Sequence, residues 1–466
     1  MKRIFKVFAA MVAALAWNVA QAQVGTPVDF MRMNPYQLKA NPATELPYES
    51  VMSILIGNTS LSVQNTTLRY NNLFDFDAQG RPEILNLRKL ANSLKENNFV
   101  GVDFDLNFFI LGRRTKHGFF TYEHNIRTQS DVGFRADLFK LLAYGNSAFL
   151  GSDNPVNVGL KANATMFQEF AVGYQMKVND RLSLGGRAKL LFGVVNVNTK
   201  QFDVRLFTAP DSYALRLVDD VLVRTSMPST ITLQDGVLGG AGGFGIGDLF
   251  HNPGFGVDFA AEYRFDDRFS AVAAVRDLGF ISWGFNNIQM TNNIQDMGEF
   301  YDNGSFLFNG LNVNQLEMLA DETNSALFLD TLQQYFHLGF DRGERYFTAL
   351  NTNLLLRGNY DLDAHNRFSA QVQGRFNGSG FRPALTLAYN GYFFEKLDVC
   401  ATYTIMPNSY DNIGLGISGR LFKTCNIYLT TNNVIGFFSP MNLSGMHVQF
   451  GIVFTLRPED KNTEYE

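Results

Sequence analysis

Beyond its first residues the chain has no apolar run of the about 18 residues that a membrane-crossing helix needs, which excludes helical insertion. It has two cysteines in 466 residues. Cys400 and Cys425 fall on strands with a further strand, residues 411–421, between them. At the usual strand spacing their backbones sit about 10 Å apart, beyond disulfide reach, so both are expected to be free thiols. Alternation places Cys400 with the inward set Asp398, Thr402 and Thr404, and Cys425 with the outward set Ile427 and Leu429. The net charge of −5 is small for this length, which implies no nucleic-acid partner. No Pro- or Ser-rich linker and no break in composition divides the chain, so one domain with long loops is expected.

Catalytic signatures are missing as well. There is no Gly-x-Ser-x-Gly elbow, and the six histidines are dispersed, none at His-Glu-x-x-His spacing. His124, His365 and His447 fall on or between strands, where a solvated imidazole is the usual finding. The glycines of residues 239–247 lack the strand–helix context of a nucleotide fingerprint. Asp75, Asp77 and Gln79 mimic the start of a calcium loop, but position 12 is Asn86 rather than a bidentate Glu. No enzyme, metal or cofactor is expected.

What the chain has in quantity is alternation. In Asn412–Leu421, Ile413, Leu415, Ile417 and Leu421 share one face, and Gly414, Gly416, Ser418 and Arg420 share the other, because strand side chains repeat every two residues. Phe368, Ala370, Val372 and Phe376 repeat the pattern against Ser369, Gln371, Gln373 and Arg375. Val448, Phe450, Ile452 and Phe454 do so against His447, Gln449 and Thr455. Dyad alternation over strands of roughly 9–11 residues, separated by turn residues, predicts an all-β fold: a transmembrane antiparallel β-barrel of the outer-membrane kind. Forty-four Phe and eighteen Tyr suit its lipid-facing band and girdles.

The N-terminus agrees. Lys2 and Arg3 precede an apolar segment from Ile4 to Trp17, and Ala20-Gln21-Ala22 offers a cleavage site, the layout of a secretory signal peptide over residues 1–22. No Cys accepts lipid there. The mature chain is then expected to start at Gln23, with residues 23–50 before the first strand, a barrel over 51–456, and a tail over 457–466.

Fourteen strands are predicted: 51–63, 99–111, 118–129, 165–178, 181–196, 254–265, 268–290, 345–360, 366–377, 382–392, 395–406, 411–421, 425–434 and 446–456. Short connectors then fall on one side, the periplasmic one, together with both termini, and long connectors at 64–98, 130–164, 197–253 and 291–344 on the other. Residues 200–225 are read as a hairpin above the membrane; as two further membrane strands they would make sixteen. Helical spacing of Leu87, Leu90, Ala91 and Leu94 predicts a loop helix. Phe134, Leu138, Leu141 and Leu142 predict a second, and Leu316–His337 a third. Such faces pack as a lid or hold a hydrophobic ligand.

Met33-Asn34-Pro35-Tyr36 and Lys39-Ala40-Asn41-Pro42-Ala43 resemble the start of FadL-type long-chain fatty acid transporters and their PorV-like relatives. Gly254-Phe255-Gly256-Val257-Asp258-Phe259 and Arg276-Asp277-Leu278-Gly279-Phe280-Ile281-Ser282-Trp283 look like a Bacteroidota branch of that superfamily, a domain of unknown function. The resemblance implies a fourteen-stranded barrel whose N-terminal residues, with Asn34, Pro35, Asn41, Pro42 and Ala43 as their motif, fold inward as a hatch. Physics points the same way. Side chains fill a barrel only at about eight strands, so fourteen leave a lumen to plug, and Asn-Pro pairs suit a compact insert; an ordinary periplasmic lead-in is the alternative. The acidic tail Arg457–Glu466 departs from barrels that end on an aromatic residue, and the transporters' ligand contacts and side opening have no residue-by-residue counterpart.

Arg187, Lys189, Arg276, Arg357, Arg375 and Arg420 are expected to face inward with Asp103, Asp105, Glu123, Asp258 and Glu262. Mutual pairing, or a lumen site for an anionic headgroup, would account for them. Two functions remain: passive passage of a hydrophobic or amphipathic small molecule, or a PorV-like scaffold that holds other envelope or secretion proteins. Outer-membrane lipid is a partner in both, and a monomer is the default.

Overall fold

The structure is a computed structural model that describes residues 26–67, 69–79, 82–151, 154–211, 213, 215–234, 237–240, 243–292, 338–377, 380–406, 409–422, 424–438 and 445–456. The expected signal peptide, the tail and the third loop helix lie outside these residues.

The strands close into a 14-strand antiparallel barrel. In order they are β1 (Ser50–Asn65), β2 (Asn97–Arg114), β3 (Gly118–Arg135), β4 (Leu160–Lys177), β5 (Leu182–Thr208), β6 (Pro253–Arg264), β7 (Phe269–Trp283), β8 (Asn353–Asp361), β9 (Asn366–Asn377), β10 (Gly380–Phe393), β11 (Leu397–Met406), β12 (Ser409–Leu421), β13 (Cys425–Thr431) and β14 (Gly445–Leu456). β1 pairs with both β2 and β14, which closes the ring and leaves no edge. The expected alternation is realised. Phe259, Ile417 and Leu429 are 58%, 54% and 60% exposed on the outside, whereas Asp258, Ser418 and Thr430 are buried inside. An apolar exterior around a polar interior is the arrangement a bilayer requires of strands, and this is a transmembrane β-barrel.

Short turns at one rim share a local device. The side chains of Asn179, Asp266 and Asp363 each accept hydrogen bonds from the amides two and three residues ahead, at 2.7–2.9 Å. Such Asx turns reverse the chain without a long loop. At the other rim β5 runs on past the barrel. Its outer part pairs with Leu215–Ser226, which pairs in turn with Asn287–Asn292 and that with Leu338–Arg342. Residues 200–208 and 215–225 therefore pair with each other outside the barrel wall, and the sixteen-strand alternative falls. Two loop helices form as expected, at Leu87–Ser93 and Ala136–Tyr144.

Two predicted strands are broken in the structure. The segment 268–290 ends its barrel strand at Trp283, because the Asn252 side chain accepts from the Gly284 and Phe285 amides at 2.9 and 3.0 Å and turns the chain out of the ladder. The segment 345–360 divides into Tyr346–Ala349 and β8. Cys400 packs inside beside Phe30 and Met31, Cys425 lies at the start of β13, and β12 runs between their strands.

Candidate functional site in the barrel lumen

Residues 26–49 lie within the ring of strands, mostly buried. Two tight turns order them, Pro27–Phe30 and Pro35–Lys39. Each Asn-Pro pair is built the same way: Asn34 Oδ1 accepts from the Tyr36 amide at 3.0 Å, and Asn41 Oδ1 from the Ala43 amide at 3.1 Å. A proline between lacks the N–H that would compete, and its fixed φ suits a turn start. The segment's apolar side chains meet the inner wall at three places. Val28, Tyr36, Leu38, Leu46 and Tyr48 pack with Ile110, Phe119, Tyr428 and Val453; Phe30 and Met31 pack with Ala388 and Cys400; Ala43 packs with Ala260, Val272 and Leu355. Each fully buried Val, Leu, Phe or Met side chain contributes roughly 1.5–3 kcal/mol of burial.

Polar contacts tie the segment to strands around the ring. Tyr36 Oη donates to Asn107 at 2.7 Å, Lys39 Nζ to Asp105 at 3.1 Å, and Asn41 Nδ2 to Glu262 at 2.8 Å. The wall donates back: Arg276 to the Lys39 carbonyl at 3.1 Å, Arg357 to the Asp29 carbonyl at 2.8 Å, and Arg114 to the carbonyls of Leu46 and Tyr48. Burial raises the Tyr36 phenol well above its ordinary range. Burial and the nearby Arg367 lower the Arg32 guanidinium.

Above this insert, away from the short turns, lies a buried ion cluster. Arg187 reaches Glu123 at 2.9 Å, Asp258 at 3.3 Å and Glu169 at 3.7 Å. Lys189 reaches Asp277 at 2.6 Å, Asp258 at 2.7 Å and Glu169 at 3.7 Å. Arg127 bonds Glu169 at 2.8 Å and Asp277 at 2.7 and 3.1 Å. Each of the three cations thus reaches more than one carboxylate, as burial of charge demands.

A bulge makes the cluster. Val257 pairs with Leu278 and Phe259 with Val275, so Arg276 and Asp277 together oppose Asp258. Asp277 takes φ 57°, a conformation Asp tolerates better than most residues, and its amide donates to Asp258 Oδ1 at 2.7 Å. Two consecutive side chains therefore engage lumen groups, and the phase of the strand reverses beyond them. Val272 and Ala274 face in before the bulge, Ile281 and Trp283 after it. The two segments quoted for the family resemblance are these paired strands, with Gly254 opposite Ile281 and Gly256 opposite Gly279.

The expected inward residues separate into groups. Arg187 and Lys189 join the cluster. Arg276 and Arg357 hold the insert. Arg375 forms a two-pronged bond to Asp103 at 2.8 and 3.2 Å, farther toward the long loops. Arg420 stands apart, donating to Tyr392 Oη at 3.2 Å near the short turns. Strand alternation alone did not single out Arg127, Glu169 and Asp277. Arg127 follows Glu123 and Asn125 by steps of two, so its phase was visible; Glu169 shares its face with Phe167 and Ala171, which reads as outward; Asp277 depends on the bulge.

Two cavities flank the insert. One of about 120 Å³ lies between it and the ion cluster, touching Asp29, Lys39, Arg127 and Lys189. The other, about 220 Å³, lies toward the short turns, touching Arg32, Thr44, Arg357 and Arg367.

Among solved structures, a Pseudomonas aeruginosa FadL homologue shares 10% identity with the chain, covering 94% of it and 100% of its own length, with a TM-score of 0.44. The Ralstonia pickettii toluene transporter TbuX shares 9%, covering 92% and 96%, at 0.43. The Pseudomonas putida toluene transporter TodX shares 8%, covering 94% and 98%, at 0.38. These are likenesses of fold alone. No curated protein matches the sequence. Residues 42–432 match the Family of unknown function (DUF5723), and the chain belongs to that family.

Proposed function

We propose that the protein is a hatch-gated passage that lets a small amphipathic molecule diffuse across the outer membrane without a cofactor, its short-turn rim and termini toward the periplasm. One observation carries this: residues 26–48 lie between two cavities inside the ring and are held to the wall by side-chain hydrogen bonds, ion pairs and packing, without strand pairing. Such contacts can open one at a time, whereas a strand must leave its ladder as a whole. The charged linings suit a polar headgroup. Purified protein in liposomes is expected to speed the entry of a short-chain amphiphile above the rate of empty vesicles. Equal rates, with the barrel shown folded by heat-modifiable gel migration, would refute the reading.

The strands that run on beyond the barrel favour a second reading. They form a sheet outside the membrane band on the long-loop side, a platform suited to holding another envelope protein. Extraction in mild detergent followed by mass spectrometry would then recover a stoichiometric protein partner.

A further inference from the structure

The cavity toward the short turns has a charge imbalance that the described residues do not resolve. Arg357 is 6% exposed. Its Nε donates to Gln371 at 2.8 Å and one Nη to the Asp29 carbonyl, and its face covers the Phe30 ring at 4.4 Å. Its other Nη has no hydrogen-bond partner, and among the described residues no carboxylate ion-pairs with it. A buried charge left this way costs several kcal/mol, roughly, unless something else neutralises it. Arg32, on the insert, is only partly paired: its Nε donates to Asn390 at 3.2 Å. It shares Asp361 at 3.4 Å with Arg367, which already binds that carboxylate with two bonds at 2.6 and 2.8 Å, and its second Nη is likewise buried without a partner. Three carboxylates line the cavity: Glu262 accepts from Asn41 at 2.8 Å, Asp180 pairs with Lys177 at 3.2 Å, and Glu45 is exposed on the insert.

We propose that this cavity is a binding site for a small oxyanion, phosphate or carboxylate, gripped between the guanidinium groups of Arg357 on the wall and Arg32 on the insert. Planar guanidinium forks match the oxygen spacing of either group, and about 220 Å³ holds such an ion with water to spare. Because one arginine belongs to the wall and the other to the insert, the anion would fasten the two together from the short-turn side. The site does not depend on passage, since a sealed scaffold could hold the same ion.

The test is calorimetric titration of the full-length protein in detergent with sodium phosphate and, separately, sodium acetate, each against sodium chloride at matched ionic strength. Saturable binding of either anion is expected, and which one binds more tightly assigns the preferred group. Arg357→Gln and Arg32→Gln should each weaken binding by about 10-fold or more, the effect of losing one charge-assisted contact worth about 1.4 kcal/mol. Arg420→Gln, away from the cavity, should leave it unchanged. Should Arg357→Gln fail to fold, Arg32→Gln still decides, because it alters the insert and no barrel strand. No saturable binding by the unaltered protein, or undiminished binding by Arg32→Gln, would overturn the proposal.

Discussion

Arg127 on the third strand and Asp277 on the seventh meet across the barrel interior in a two-pronged hydrogen bond, 2.7 and 3.1 Å. The strands are not neighbours, so the pair braces the ring internally. Asp277 also receives Lys189 at 2.6 Å, which makes its carboxylate the shared anion of two buried cations.

Asp277→Asn keeps the size and the left-handed tolerance of the residue and removes only that charge. Two cations would then share the remaining carboxylates in a dry interior. Urea unfolding in detergent should show a loss of about 3 kcal/mol, the usual cost of breaking a buried pair on one side. A loss below about 1 kcal/mol would mean that water already reaches the cluster and screens it.

The barrel was legible from alternation because a strand has only two faces and lipid accepts only one kind. Ile413 to Leu421 needed no further information. Phase failed where geometry departs from period two. At Arg276 and Asp277 the extra residue of a bulge reverses the faces, so Ile281 and Trp283 point inward although a steady count sends them to lipid. Polarity failed for a different reason. Phe167, Leu191, Ile281 and Trp283 form an apolar cluster inside the ring, and an apolar inward residue looks like a lipid-facing one. Within the insert, Asn34-Pro35 and Asn41-Pro42 announced turns, since those bonds are local. Their wall partners did not: Asn41 meets Glu262, 221 positions away, and nothing in the spacing encodes that contact.

Gly185 on the fifth strand tests how closely the insert is held. A Cβ there would lie 2.0 Å from the Pro42 carbonyl oxygen and 2.5 Å from the Ala43 amide, both backbone atoms that cannot rotate away. Gly185→Val should leave the barrel formed and push residues 41–44 off the wall. In planar bilayers this variant is expected to open to larger conductances than the unaltered protein, and added protease should cut near Thr44 more readily. Unchanged conductance and cleavage would show that the insert shifts as a body without unsealing.

Exposure alone does not distinguish lipid from water, but charge does. Leu429 on the thirteenth strand and Ile246 beyond the long-loop rim are 60% and 82% exposed. Leu429→Arg should lower the folded fraction in liposomes, costing about 2–4 kcal/mol at the bilayer midplane and about 0–1 near an interface. Ile246→Arg should be silent. Equal effects would place both residues in the same solvent and contradict the membrane band.

Outside the membrane band the long-loop rim carries its own pH dependence. Burial pushes the Asp248 carboxyl up, but the amides of Ser229 and Gly245, at 2.9 and 2.7 Å, and the Ser229 hydroxyl, at 3.0 Å, outweigh it and hold the group below its ordinary value. A carboxylate favoured by the folded loop stabilises it fully above the unfolded pKa of about 3.9, and that stabilisation is lost as pH falls through the lower folded value. Pepsin should therefore cut between residues 229 and 248 increasingly as pH drops below about 4. Asp248→Asn, which has no proton to take up, should be cut at a rate that does not change over the same range beyond the enzyme's own pH response, measured on an unfolded peptide of the same sequence. If both proteins followed that peptide's profile alone, the carboxylate would not be what fastens this loop.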